Sequence, residues 1–132
     1  MKNIIVFGAS GDTGHYFVNY FLEHNKDSNY QIIASGSRKT DDFKKINVPY
    51  YQVDITKKED FNKLPRDVYA VVDLAGAMPA RMRGYDPYKY IDVNITGNLN
   101  ILELMLHLLK KSFISLTLVP LSELLIASLI LI

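Results

Sequence analysis

The chain has 132 residues, with 15 Lys and Arg against 14 Asp and Glu; a net charge of +1 gives no electrostatic case for nucleic acid or an anionic membrane surface. It has no cysteine, which excludes disulfides, thiolate metal sites and a Cys nucleophile, and His15, His24 and His107 are too scattered for metal ligation. The length fits one domain, and no signal segment is legible at its start, so a cytoplasmic location is expected.

Residues 3–7 (Asn-Ile-Ile-Val-Phe) form a short apolar, β-rich run ending at Gly8, the pattern of a strand buried on both faces. From Thr13 to about His24, Phe17, Tyr20, Phe21 and His24 recur at helical spacing, and residues 25–29 break the pattern with turn formers. Further β-rich runs follow at Tyr30 to Ala34, Tyr50 to Val53 and Tyr69 to Leu74. Strands alternating with helical or polar stretches predict an α/β fold, a Rossmann-type doubly wound parallel sheet truncated after about the fifth strand. Asp86-Pro87 reads as an N-cap with proline at the first helical position, opening a long helix to about Leu109.

From Ser112 the composition shifts to Leu, Ile and Ser, with Glu123 the single charge. Three readings stand: a fifth strand at Phe113 to Val119 followed by a helix, a membrane-spanning tail, or out-of-frame sequence after a truncation. Pro120 and Glu123 near the middle of the run argue against a membrane span, whereas Lys110 and Lys111 at its border argue for one. The division is therefore residues 1–111, a Rossmann-type half-domain, and 112–132, an apolar tail.

The chemistry begins directly after the first strand with Gly8-Ala-Ser-Gly11-Asp-Thr-Gly14. Glycines at a strand-to-helix turn let the backbone approach a pyrophosphate closely, and the helix N-terminus offers free N–H groups and a positive dipole end. Gly8, Ser10, Gly11, Asp12, Thr13 and Gly14 are thus candidate cofactor residues. At the end of the second strand the chain reads Ala34-Ser-Gly-Ser37-Arg38-Lys39, without the carboxylate that would hydrogen-bond an NAD ribose. Ser37, Arg38 and Lys39 could instead bind the 2′-phosphate of NADP through charge-assisted hydrogen bonds, which favours NADP over NAD. A solvated basic turn is the plainer alternative.

With Val53-Asp54-Ile55, Asp73-Leu74-Ala75-Gly76 and Asp86-Pro87 followed by Tyr90-Ile-Asp-Val-Asn94-Ile-Thr-Gly97-Asn-Leu-Asn100, the sequence resembles the N-terminal half of an extended short-chain dehydrogenase/reductase, the NAD-dependent epimerase/dehydratase family. The resemblance implies that Asp54 and Ile55 contact adenine, that Leu74, Ala75 and Gly76 pass beneath the cofactor's ribose and phosphates, and that Asn94 sets the sheet edge near the nicotinamide. Asp54 could equally cap its own turn, and Asn94 could be an ordinary polar residue on a helix. The family's activity, oxidation, reduction or epimerisation of a nucleotide-linked sugar or related alcohol, needs a Ser or Thr and a Tyr-x-x-x-Lys pair on one helix. Tyr85 and Lys89 have that spacing, but Tyr85 precedes the Asp86 cap, so the two would not share a helical face. Ser115 and Thr117 are the candidates on the fifth strand, with no Tyr after them.

Three hypotheses follow: an enzyme of that family whose chain is truncated or frame-shifted near Lys111 and catalytically incomplete, a non-catalytic dinucleotide-binding module that senses redox state or pairs with a partner, or a membrane-tethered fragment. The expected partners are the dinucleotide and either a second copy of the chain or the missing C-terminal half, and neither a metal nor nucleic acid is expected.

Overall fold

The computed structural model describes residues 1–27, 29–78, 86–108, 114–116 and 128–131. Strand β1 (Lys2–Phe7) is followed by helix α1 (Asp12–His24) and strands β2 (Tyr30–Gly36), β3 (Tyr50–Gln52) and β4 (Ala70–Asp73). A continuous helical run comes next: α2 (Pro87–Ile91), a π-helical segment (Asp92–Gly97) and α3 (Asn98–Leu108). Two short strands, β5 (Ile114–Leu116) and β6 (Ser128–Leu131), complete the sheet, whose order is β3-β2-β1-β4-β6-β5.

The four strands β3-β2-β1-β4 run parallel, with Ile4 paired to Ile32 on one side and Ala70 on the other. Both faces are covered, which is why β1 reads as an unbroken apolar run. On one face Ile5, Phe7, Ile33 and Val71 pack with Ile101, Leu104 and Met105 of α3; on the other, Val6, Ile32, Ala34 and Val72 pack with Val18 of α1. Helix α1 turns Gly14 and Val18 inward, while Tyr20 and His24, expected on the same stripe as Phe17 and Phe21, stack on each other outward with ring centroids 3.9 Å apart. The crossovers on either side of β3 hold only 3-10 turns, Asp42–Ile46 and Lys58–Lys63, and each plants one phenylalanine, Phe43 or Phe61, in the core.

The N-cap at Asp86 is as expected: its carboxylate accepts from the main-chain N–H groups of Tyr88 and Lys89. Of the expected fifth strand, Phe113 to Val119, residues 114–116 are strand and the rest lies outside the described residues; the parallel order stops at β4. Strand β6, antiparallel to both neighbours, lies between β4 and β5, and residues 128–131 are strand where a helix was expected. An apolar strand satisfies the main-chain groups along β4's edge running in either direction, so sequence pattern alone does not choose. The rest of that expected helix lies outside the described residues. Among those described, no helix is long and apolar enough to cross a membrane.

Candidate functional site

The glycine turn is built by contacts that leave no room for side chains. Gly8 has φ +73°, and a Cβ on it would lie 2.5 Å from the carbonyl carbon of Leu74 and 2.6 Å from the nitrogen of Ala75. The Leu74 N–H donates to the Phe7 carbonyl at 3.0 Å, so the turn and the end of β4 form one wall. A Cβ on Gly14 would stand 2.5 Å from the Ala9 Cα, which fixes how closely α1 approaches the turn. Gly11 is the N-cap of α1 and offers no side chain to the N–H groups of the first turn, leaving that end of the helix open to an anion.

At the end of β2, Ser37, Arg38 and Lys39 are exposed, and an Nη2 proton of Arg38 is donated to the Ser10 carbonyl across the mouth of the cleft. Tyr50 on β3 donates its hydroxyl to the carbonyls of Gly36, at 3.0 Å, and Arg38. Gln52 adds a hydrogen bond from Nε2 to the Ser37 carbonyl at 3.1 Å. Burial raises the Tyr50 phenol above its usual range, against a hydrogen bond from Ser10 and the nearby charge of Arg38.

Beyond β3, the Asp54 carboxylate accepts from both the N–H and the hydroxyl of Thr56, at 3.0 and 2.8 Å, and faces Lys57. It caps its turn and also lines the cleft. Ile55 is buried against Gly97 of the π segment, and Asn100 reaches from α3 to the Ile55 carbonyl at 2.9 Å. At the end of β4, buried Asp73 accepts the Ala75 N–H at 2.9 Å, and burial pushes its carboxyl up to about 6. Asn94 holds the far end of this loop with two bonds, accepting the Ala77 N–H at 2.8 Å and donating to the Ala77 carbonyl at 3.0 Å.

These turns surround a cleft of about 230 Å³ at the C-terminal ends of β1, β2, β3 and β4. Of the candidates, Gly8, Ser10, Gly11, Ser37, Arg38, Asp54, Ile55, Leu74, Ala75 and Gly76 line it. Asp12, Thr13 and Gly14 belong to α1 behind the turn, Lys39 lies beyond the lining, and Asn94 acts on the loop from outside. Sequence reading missed Gly36, Val53 and Val93 in the wall, together with Tyr50 behind it. A glycine closing β2 was the legible signal for the first; Val53 and Val93 look like any core valine. Backbone turns without side chains, an open helix N-terminus and the apolar walls of Val53, Ile55 and Val93 together fit the phosphates and adenosine of a dinucleotide.

Of the catalytic candidates, the two that are described do not line the cleft. Lys89 is exposed in the first turn of α2, Ser115 is on β5 with β6 between it and β4, and Tyr85 and Thr117 lie outside the described residues.

The family model described as the NAD dependent epimerase/dehydratase family matches residues 4–117. The chain is 30% identical over 115 residues to a UDP-glucuronate 4-epimerase of Thermodesulfobacterium geofontis, covering 80% of this chain and 36% of that protein. Among solved structures it is similar to an L-threonine dehydrogenase from Clostridium difficile, with a TM-score of 0.66 and 25% identity over 82% of this chain and 34% of the other. A Thermus thermophilus UDP-glucose 4-epimerase in complex with NAD has the same fold, with a TM-score of 0.60 and 23% identity over 80% of this chain and 34% of the other. The chain thus spans about a third of the length of these relatives. Match and fold agree: this chain belongs to the NAD-dependent epimerase/dehydratase family.

Proposed function

We propose that residues 1–111 bind NADP in preference to NAD, as the cofactor-holding half of an enzyme that oxidises, reduces or epimerises a nucleotide-linked sugar or related alcohol. The observation that carries the cofactor reading is the turn after β2. Its residues 37–39 offer no carboxylate to a ribose diol, and the Arg38 guanidinium lies across the cleft mouth against Ser10. One of its five N–H donors is used there, which leaves others for a 2′-phosphate. The substrate class rests on family membership and on the relatives, which are named as nucleotide-sugar epimerases and as dehydrogenases. Titration of NADP and NAD against the chain tests the preference: NADP should bind about tenfold more tightly, as expected for a charge-assisted contact, and Arg38→Ala should abolish the difference. Equal or tighter NAD binding overturns it.

We further propose that these 132 residues bind cofactor without turnover. The positions of Lys89 and Ser115, both away from the cleft, favour this and also the second reading, a non-catalytic module that pairs with a partner supplying the remaining half. Reduction of bound NADP by a nucleotide sugar or by threonine, followed by fluorescence, would contradict both.

A further inference from the structure

We infer that Tyr50 is a positioning residue for cofactor choice: its hydroxyl fastens the Gly36 and Arg38 carbonyls of the basic turn after β2 and thereby sets where the Arg38 guanidinium sits against Ser10. This rests on the proposed NADP reading and names the device that supports it.

The Tyr50 ring cannot drift. It lies flat on Phe43, with an interplanar angle of 3° and centroids 5.1 Å apart, and Phe43 in turn stacks under His15 at 4.8 Å. The phenol oxygen is therefore a fixed point. Its one proton is shared between the carbonyls of Gly36 and Arg38. Gly36 leaves room there for both neighbouring side chains, because a Cβ on it would collide with the Ser10 side chain and stand 3.1 Å from the Tyr50 hydroxyl.

Arg38 is thus held at both ends, its carbonyl by Tyr50 and its guanidinium by the Ser10 carbonyl. A long cation so restrained loses less rotamer freedom when a phosphate arrives. Without the Tyr50 hydroxyl the Arg38 backbone is released, and the guanidinium samples positions off the cleft mouth. NAD, which has no 2′-phosphate, does not draw on that restraint.

The test is Tyr50→Phe in the full 132-residue chain, which keeps the ring stack and removes the hydroxyl. ADP-ribose and its 2′-phosphate are titrated against it beside Arg38→Ala. The expected result is about fivefold weaker binding of the 2′-phosphorylated ligand, the worth of one hydrogen bond, with ADP-ribose nearly unchanged. Equal weakening of both ligands, or of neither, overturns the inference. If Arg38→Ala loses the preference while Tyr50→Phe keeps it, this inference fails alone; if Arg38→Ala keeps it, the NADP reading fails as well. Should Tyr50→Phe not fold, Phe43→Leu, a position outside the cleft lining that releases the Tyr50 ring from its stack, carries the test, with the same selective loss expected and an unselective one overturning the inference.

Discussion

Asn100 is buried in α3, and its side-chain amide donates to the main-chain carbonyl of Ile55 at 2.9 Å, tying the helix to the loop that follows β3. Replacing Asn100 with Leu keeps the volume and strips the carbonyl of its donor. A buried carbonyl left unsatisfied costs about 1–3 kcal/mol. Thermal unfolding should show a Tm lower by roughly 5–10 °C; an unchanged Tm would mean that the Ile55 carbonyl finds another donor.

Gly8→Ala should be the most damaging single methyl in the turn. The residue must hold φ +73° and would place its Cβ against the Leu74–Ala75 peptide, which is backbone and cannot swing aside. The left-handed conformation alone costs about 1–2 kcal/mol, and relieving the clash moves the cleft wall. Loss of dinucleotide binding together with a lower Tm is expected; calorimetric titration at wild-type affinity would refute the geometry.

Asp73 predicts a fall in stability with rising pH. Its folded carboxyl titrates at about 6 because of burial, opposed by the bond from Ala75. The unfolded carboxyl titrates near 3.9. Between these values the folded chain keeps a proton that the unfolded chain has lost, so this stabilisation is full below about pH 4 and lost by about pH 6. The effect is on the order of 3 kcal/mol. Asp41, Asp42, Asp60 and Glu103 act in the opposite sense, held low by Lys44, Thr40, Lys63 and Lys58 respectively; their contributions are present above about pH 4 and lost below it, and are small because Asp41, Asp42 and Glu103 are exposed and half-buried Asp60 pairs with exposed Lys63. Asp73→Asn should raise Tm at pH 8 and flatten the decline between pH 4 and 6. Parallel Tm curves for the two proteins would remove Asp73 as the cause.

Asn94→Asp separates the two bonds to Ala77. The carboxylate still accepts the Ala77 N–H but now faces the Ala77 carbonyl without a proton to offer. The 74–77 loop should loosen, with faster amide hydrogen exchange at Ala75 and Ala77 and weaker dinucleotide binding. Protection equal to wild type at both amides would show that the loop is held from elsewhere.

Four parallel strands, the glycine turn and the Asp86 cap were legible because each is set by local rules: apolar runs, a residue free to take positive φ, and an oxygen placed to receive N–H groups. Long-range choices were not. Val93 lines the cleft only because the helical run crosses the end of the sheet, and nothing in its neighbours separates it from a core valine. Tyr50 reads as a β-former, and its hydroxyl acquires meaning only when Gly36 and Ser10 arrive beside it. The partner of β4's free edge was equally beyond local pattern, since Leu and Ile satisfy that edge in either direction.

The position of β1 between β2 and β4 sets an order of assembly. During synthesis, the glycine turn, the basic turn with its Tyr50 bonds, and the Arg38–Ser10 link between the two turns are all available once Gln52 has emerged. The other flank of β1 then stays open until Ala70–Asp73 follow. For that interval a nascent chain exposes an apolar strand edge with no neighbour, the state most prone to pair with another chain. The charged crossover from Lys57 to Asp67, rich in Lys, Asp and Glu, is the stretch that emerges meanwhile, a solubilising interlude between two halves of one sheet.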